Sequence, residues 1–278
     1  MTTQLAIASG FALYEGSARG NALGGLTGQA DDAAVIFFNP AGMTNLEGTH
    51  FMSGATIIVP WADITMNDLY SGQTTEGELK DQVFPPPHIY FTHQINNKFW
   101  VGGGIYSRFG LGTKYEPEWE GRYSNNNTQI QSISYGVDLA YKLSENVSVA
   151  FGVSAMWFDA ILEQAVDGNR FQLNPPHNPA TTDYDAVQKI EGDNTSYGWD
   201  ASIHFHDEKW GIGLFYVDGV DHDLEGVATW TKPSAPVPDL WFNDSNVTAD
   251  PIELPNMTFF GVNYKVSDTL SIGGGITY

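Results

Sequence analysis

Along much of the chain, apolar residues alternate with small or polar ones at a period of two. Ile133, Tyr135, Val137, Leu139, Tyr141 and Leu143 share one face of a stretch whose other face carries Ser132, Ser134, Gly136, Asp138, Ala140 and Lys142. The same rhythm sets Val147, Val149, Phe151 and Val153 against Ser148, Ala150, Gly152 and Ser154, and it returns in 199–205 and 270–277. Residues two apart lie on the same side of a β-strand, so each stretch reads as a strand with one greasy side. The pattern predicts nine strands: His50–Val59, Pro87–Gln94, Phe99–Phe109, Thr128–Leu143, Val147–Asp159, Ser196–Phe205, Trp210–Trp230, Pro251–Tyr264 and Thr269–Tyr278.

A soluble sandwich also alternates, but strand length and connection length favour a membrane wall. Several strands reach the ten or so residues that a tilted strand needs to cross a bilayer. Short turns at Gln94–Lys98, Ser144–Asn146 and His206–Lys209 alternate with long polar segments near 61–86, 110–127, 160–195 and 231–250. Periplasmic turns and extracellular loops produce that asymmetry. Tyr90, Trp100, Trp157, Trp199, Phe259 and Tyr278 stand near strand ends, where aromatic girdles form. The expected fold class is all-β: a transmembrane antiparallel up-and-down β-barrel of the bacterial outer membrane. An up-and-down barrel closes on an even number of strands, and an open edge in hydrocarbon leaves polar groups unpaired. Nine strands are therefore expected to be part of a larger wall.

Charge and composition narrow the functions. The chain has 33 Asp and Glu against 12 Lys and Arg, a formal charge of −21, which repels a nucleic-acid backbone. It has no Cys, so no disulfide or thiolate metal site is possible within it. Gly-x-Ser-x-Gly, His-Glu-x-x-His and Walker patterns are missing, and neither an enzyme nor a cofactor is expected. His204, His206 and Asp207 have a metal-like spacing, but they abut a turn where polar residues belong, and no metal site is assigned. Leu5–Ala8 reads as the tail of a signal peptide.

Residues 1–48 do not look like wall. Small residues dominate Ser17–Ala30, and Asn39-Pro40 imposes an extended or turn geometry ahead of a short helix. This segment is expected to form an N-terminal plug, or hatch, for the partial barrel of 49–278. Its sequence Ser9-Gly10-Phe11-Ala12-Leu13-Tyr14-Glu15, Ser17-Ala18-Arg19-Gly20-Asn21-Ala22, Ala30-Asp31-Asp32-Ala33 and Asn39-Pro40-Ala41-Gly42-Met43-Thr44 resembles the opening of FadL-type outer-membrane proteins. Phe109-Gly110-Leu111-Gly112-Thr113-Lys114-Tyr115, Trp119-Glu120-Gly121-Arg122-Tyr123 and Leu254-Pro255-Asn256-Met257 extend the likeness in order along the chain.

The resemblance implies a barrel of fourteen strands, a hatch carrying Asn39, Pro40 and Ala41, and passive uptake of long-chain fatty acids, alkanes or aromatics. It also implies an inward kink in the third strand that opens the wall sideways, with hatch movement releasing the ligand. Gly102, Gly103 and Gly104 in that strand fit either such an opening or room for the hatch to pack. Phe11, Leu13, Phe37 and Phe38 either line a ligand pocket or anchor the hatch. Arg19 and Arg108 either meet a carboxylate headgroup or pair with inward acids such as Asp138 and Asp200. Ile161, Leu162, Phe171 and Leu173 are candidates for first contact with substrate outside the cell. The expected partners are the hydrophobic substrate, outer-membrane lipid and lipopolysaccharide, and the barrel assembly machinery, with a monomer when full length. The competing reading is a structural or general-diffusion barrel without a specific hydrophobic ligand.

Overall fold

The computed structural model describes residues 11–25, 27–67, 74–167, 185–233 and 242–278. Leu5–Ala8, Phe171 and Leu173 lie outside the described residues. In chain order the structure forms α1 (Ala18–Leu23), α2 (Val35–Phe38) and a 3-10 turn (Pro40–Asn45), then β1 (Thr49–Ala55), β2 (Asp63–Asn67), β3 (Thr74–Glu78), β4 (Pro87–Gln94), β5 (Phe99–Tyr106) and β6 (Gly110–Lys114). A second 3-10 turn (Glu120–Tyr123) leads to β7 (Asn127–Lys142), β8 (Val147–Asp167), β9 (Asp185–His206), β10 (Trp210–Val217), β11 (Val220–His222) and β12 (Glu225–Thr231). The chain finishes with β13 (Ser245–Thr248), β14 (Ile252–Leu254), β15 (Met257–Ser267) and β16 (Leu270–Thr277).

Nine strands make one continuous wall in the order β1-β4-β5-β7-β8-β9-β10-β15-β16, each antiparallel to the next. The wall is inverted relative to a water-soluble sheet. On β7 the apolar face is open, with Tyr135, Val137 and Leu139 at 51%, 58% and 50% exposure, while Ser134 and Asp138 on the opposite face are buried. Phe151, Val153, Ile203, Leu214 and Ile272 continue the outward apolar surface along β8, β9, β10 and β16. A face this apolar suits hydrocarbon as its solvent, with polar and small residues turned to the interior. Among the described residues no helix is long and apolar enough to cross a membrane.

The interior face is covered by the hatch. Thr56, just after β1, donates to the Glu15 carbonyl at 3.2 Å, and Gln29 donates to Asn263 on β15 at 3.0 Å. A flat sheet of nine strands would be about 38 Å wide at the usual ~4.8 Å spacing. One short segment reaching nearly both ends of the wall therefore requires the sheet to curl around it. Ala33, Ala34, Val35, Ile36, Phe37, Phe38 and Met43 form the buried hatch core against Tyr90, Trp100, Tyr106 and Ala140 of the wall.

Several strands depart from their expected limits. The predicted seventh strand, Trp210–Trp230, is three strands, β10, β11 and β12, and the predicted eighth is divided between β14 and β15. β8 and β9 continue far past the membrane as a paired ribbon to Asp167↔Asp185, and β12 and β13 add to it. In their outer halves polar residues such as Asp159, Glu163, Lys189 and Glu191 enter the pattern, while Phe158, Ala160, Ala165 and Ala186 stay buried. The predicted third strand stops at Tyr106 and resumes as β6, and this interruption organises the site.

Candidate functional site

The ladder between β5 and β7 runs from Phe99↔Tyr141 to Tyr106↔Ser134, and β6 takes it up again at Gly110↔Gln131. Across the break three residues, Ser107–Phe109, face two, Ser132 and Ile133, so one extra residue bends the strand as a bulge does. Ser132 replaces the missing ladder bonds: its Oγ accepts from the Phe109 N–H at 3.0 Å and donates to the Phe109 carbonyl at 2.9 Å. On the other side, the β4–β5 ladder ends at His88↔Tyr106. Pro85, Pro86 and Pro87 come next, and proline has no N–H with which to extend a ladder.

The hatch takes the vacated edge. Leu13 N donates to the Arg108 carbonyl at 2.7 Å and Gly110 N to the Phe11 carbonyl at 2.9 Å, with Ala12 bridged to Phe109 between them. Beside this contact lies an apolar cavity of about 270 Å³ lined by Leu13, Ile58, Phe84, Phe109, Leu111 and Ile130 among others. Roughly 150 Å³ of apolar cavity suffices for benzene. On the interior side, Phe109 joins Met156, Phe158, Leu224, Leu254 and Met257 in a second apolar cluster, with Phe11 packed against it at 5.7 Å between rings.

The expected site residues divide between this gap and the docking of the hatch. Phe11 and Leu13, both half-buried, lie at the gap. Phe37 and Phe38 are buried in the hatch core, their rings 4.9 Å apart. Arg108 is buried with its guanidinium carbon 4.4 Å from the Phe37 ring centroid and donates to the Phe37 carbonyl at 3.2 Å. Arg19 is exposed and ion-paired with Asp31 of the hatch. Asn39 Nδ2 donates to the carbonyls of Thr27, at 3.0 Å, and Ile203 on β9, at 3.2 Å. Pro40 opens the 3-10 turn, and Ala41 N donates to Ser202 Oγ at 2.9 Å. Gly102–Gly104 lie in the unbroken part of β5. A side chain at Gly102 would strike Ile36 and Met43 of the hatch, and one at Gly104 would crowd Ile36 and Tyr90.

Ser132 and the Pro85–Pro87 run were missed from sequence. The prolines carried a usable signal, since three in succession beside a strand forbid its neighbour a partner. The partnership of Ser132 with Phe109 had none, because it depends on two segments far apart in the chain. His204 and His206 stack at 5.7 Å, while Asp207 accepts from the N–H groups of Lys209 and Trp210, each at 2.7 Å. Among the described residues no group of three His, Asp or Glu side chains could hold a metal ion.

Outside the membrane, Arg122 and Tyr123 tie one loop to the outer end of the β8–β9 ribbon. Arg122 Nε meets Asp185 Oδ2 at 2.7 Å, and the Tyr123 hydroxyl donates to Asp185 Oδ1 at 2.9 Å. Burial, followed by the hydrogen bond to Asp185, pushes the Tyr123 phenol up to about 12. Burial works against the charge on Arg122, but the hydrogen bonds and charges of Asp185 and Tyr123 together outweigh it and the guanidinium is raised overall.

Residues 1–278 match the family described as outer membrane protein transport protein (OMPP1/FadL/TodX). The chain belongs to this family. It is similar to the long-chain fatty acid transport protein of Escherichia coli O6:H1, with 29% identity over 233 residues covering 78% of this chain and 52% of that protein. Outer membrane protein P1 of Haemophilus influenzae is 26% identical over 240 residues, covering 75% and 52%. The fold matches the crystal structure of a Pseudomonas aeruginosa FadL homologue with a TM-score of 0.74 at 18% identity, over 96% of this chain and 69% of that one. The Ralstonia pickettii toluene transporter TbuX gives 0.64 at 17% identity, over 91% and 70%. The chain spans about half the length of the curated relatives it matches. This FadL/TodX-type chain is an outer-membrane β-barrel wall with an N-terminal plug, and its family transports hydrophobic compounds.

Proposed function

We propose that the protein carrying this chain takes up uncatalysed, by diffusion, hydrophobic molecules that leave its interior sideways through the gap at Ser107–Phe109. The observation that carries this reading is the apolar cavity at the one place where β5 and β6 are interrupted, next to the hatch residues that cap it. Relatives and structural neighbours are named for fatty acids and for toluene, and both are poorly soluble in water. A route through the wall delivers such a molecule to lipid without crossing a polar lumen.

In this mechanism Phe11 and Leu13 form the inner lip of the gap, and Phe37 and Phe38 anchor the plug. Asn39, Pro40 and Ala41 register the plug on β9, and Gly102 and Gly104 let it lie flat against β5. Release requires Phe11–Leu13 to leave the Arg108–Gly110 edge, breaking two backbone hydrogen bonds. Lipid and lipopolysaccharide meet the outward face, the barrel assembly machinery inserts it, and the complete protein acts as a monomer. Leu13→Trp fills the cavity without touching the strand ladders. It should cut uptake of a small aromatic hydrocarbon by about tenfold or more with the barrel still folded. Undiminished uptake would contradict a sideways route, and ion conductance in single-channel recording would favour general diffusion.

A further inference from the structure

Beneath the hatch, three ionisable side chains are buried together. Asp138 on β7 and Asp200 on β9 occupy one cross-strand row, separated by Gly152 on β8. Both carboxyls turn inward and are buried, and a side chain at Gly152 would collide with Oδ1 of Asp138 and Oδ2 of Asp200. Gly152 thus leaves the space in which the two carboxyls meet. Asp200 and Arg108 line the same small cavity, about 10 Å³, together with Ser134 and Ser154. That volume holds about one water molecule.

Arg108 is already committed. Its guanidinium carbon lies 4.4 Å from the Phe37 ring centroid, 4.9 Å from Tyr106 and 5.5 Å from Phe215, and it donates to the Phe37 carbonyl. The other buried cation among the described residues, Arg122, is bound by Asp185 in the loop outside the membrane. An anionic headgroup entering this part of the lumen finds no unneutralised cation and must approach two carboxyls. The carboxyl pair opposes an ionised headgroup brought beside it, while an uncharged ligand meets no such opposition.

We propose that Asp138 and Asp200 are specificity-determining residues: they neutralise Arg108 and make the channel select uncharged hydrophobic molecules over long-chain carboxylates. This rests on the uptake reading above and adds the charge of the substrate to it. The corollary is that Arg108 holds the hatch and does not receive a headgroup.

The test uses the full-length protein in detergent, with the uncharged hydrophobe N-phenyl-1-naphthylamine as fluorescent probe and laurate or dodecan-1-ol as competitor. Work at about pH 8 keeps laurate ionised. The alcohol should displace the probe in the unsubstituted protein far better than laurate does. Asp138→Asn with Asp200→Asn should raise the affinity for laurate relative to the alcohol by about tenfold or more. Asp200→Asn alone, with a smaller shift in the same direction, serves if the double variant does not fold. The proposal is overturned if laurate competes as well as the alcohol or if the Asn variants leave the ratio unchanged. Failure of the probe and both competitors to bind would instead defeat the uptake reading itself.

Discussion

Ser132 and Phe109 are joined by a reciprocal pair of hydrogen bonds, one at 3.0 Å to Ser132 Oγ and one at 2.9 Å from it. A single hydroxyl therefore does what a backbone neighbour does elsewhere in the wall. It keeps the polar groups of a buried bend satisfied, at a point where the strand has to leave its ladder. A break in a membrane wall is tolerable only where its N–H and C=O groups find other partners.

Replacing Ser132 by Ala leaves the Phe109 N–H and carbonyl without their side-chain partner. The expected cost is about 1–3 kcal/mol, confined to the bend. Amide hydrogen exchange checks it: Phe109 should exchange faster in the variant, with β8 and β9 unaffected. Equal protection at Phe109 would show that the hydroxyl is dispensable.

Gly102→Leu drives a side chain into Ile36 and Met43, where the hatch core is closely packed. Overpacking of this kind costs about 1–3 kcal/mol. Since Gly102 is paired on both sides within β5, the wall should persist while the hatch loosens. Limited proteolysis should cut residues 11–48 sooner in the variant, with the barrel fragment intact.

The wall was legible because its chemistry is local. Tyr135, Val137 and Leu139 stand two apart and turn outward, and β4 runs over Pro87–Gln94 as expected. The hatch was recognisable as something other than wall from its small residues and Asn39-Pro40, but its docking was not. Asn39 reaches Ile203, 164 positions away, and nothing near either residue announces that contact. The glycine run in β5 drew attention toward Gly102–Gly104, whereas the ladder breaks a few residues later, at Ser107–Phe109. A Gly can serve a bend or a close approach, and sequence alone does not say which. The outer ribbon of β8 and β9 was read short because the alternation that marks a strand weakens there, as in Gln188-Lys189-Ile190-Glu191 of β9.

Tyr123 gives the extracellular anchor a pH limit. The folded state holds its phenolic proton more tightly than the ordinary value of 10.0, with the group raised to about 12. A folded-state value above the unfolded one stabilises fully below the unfolded value, and the contribution is lost as pH rises through the folded one. The loop should therefore stay anchored up to about pH 10 and loosen toward about pH 12. Ultraviolet titration of the phenol, compared with Tyr123→Phe, should show one tyrosine ionising late. Protease cleavage near Tyr123 should rise over the same interval, and a Tyr123 that ionises at its ordinary value would contradict the assignment.

The most direct test of the central claim fixes the hatch to the gap. Ala12 and Phe109 are bridged antiparallel neighbours, and the chain has no Cys of its own to interfere. Ala12→Cys with Phe109→Cys should form a disulfide that staples the hatch segment over the interruption. Uptake of a labelled aromatic hydrocarbon is then measured in the oxidised and reduced states of the same protein, with Phe109→Cys alone as control. The account predicts uptake blocked when oxidised and restored on reduction. Equal uptake in both states, with the disulfide verified, would contradict passage through this gap.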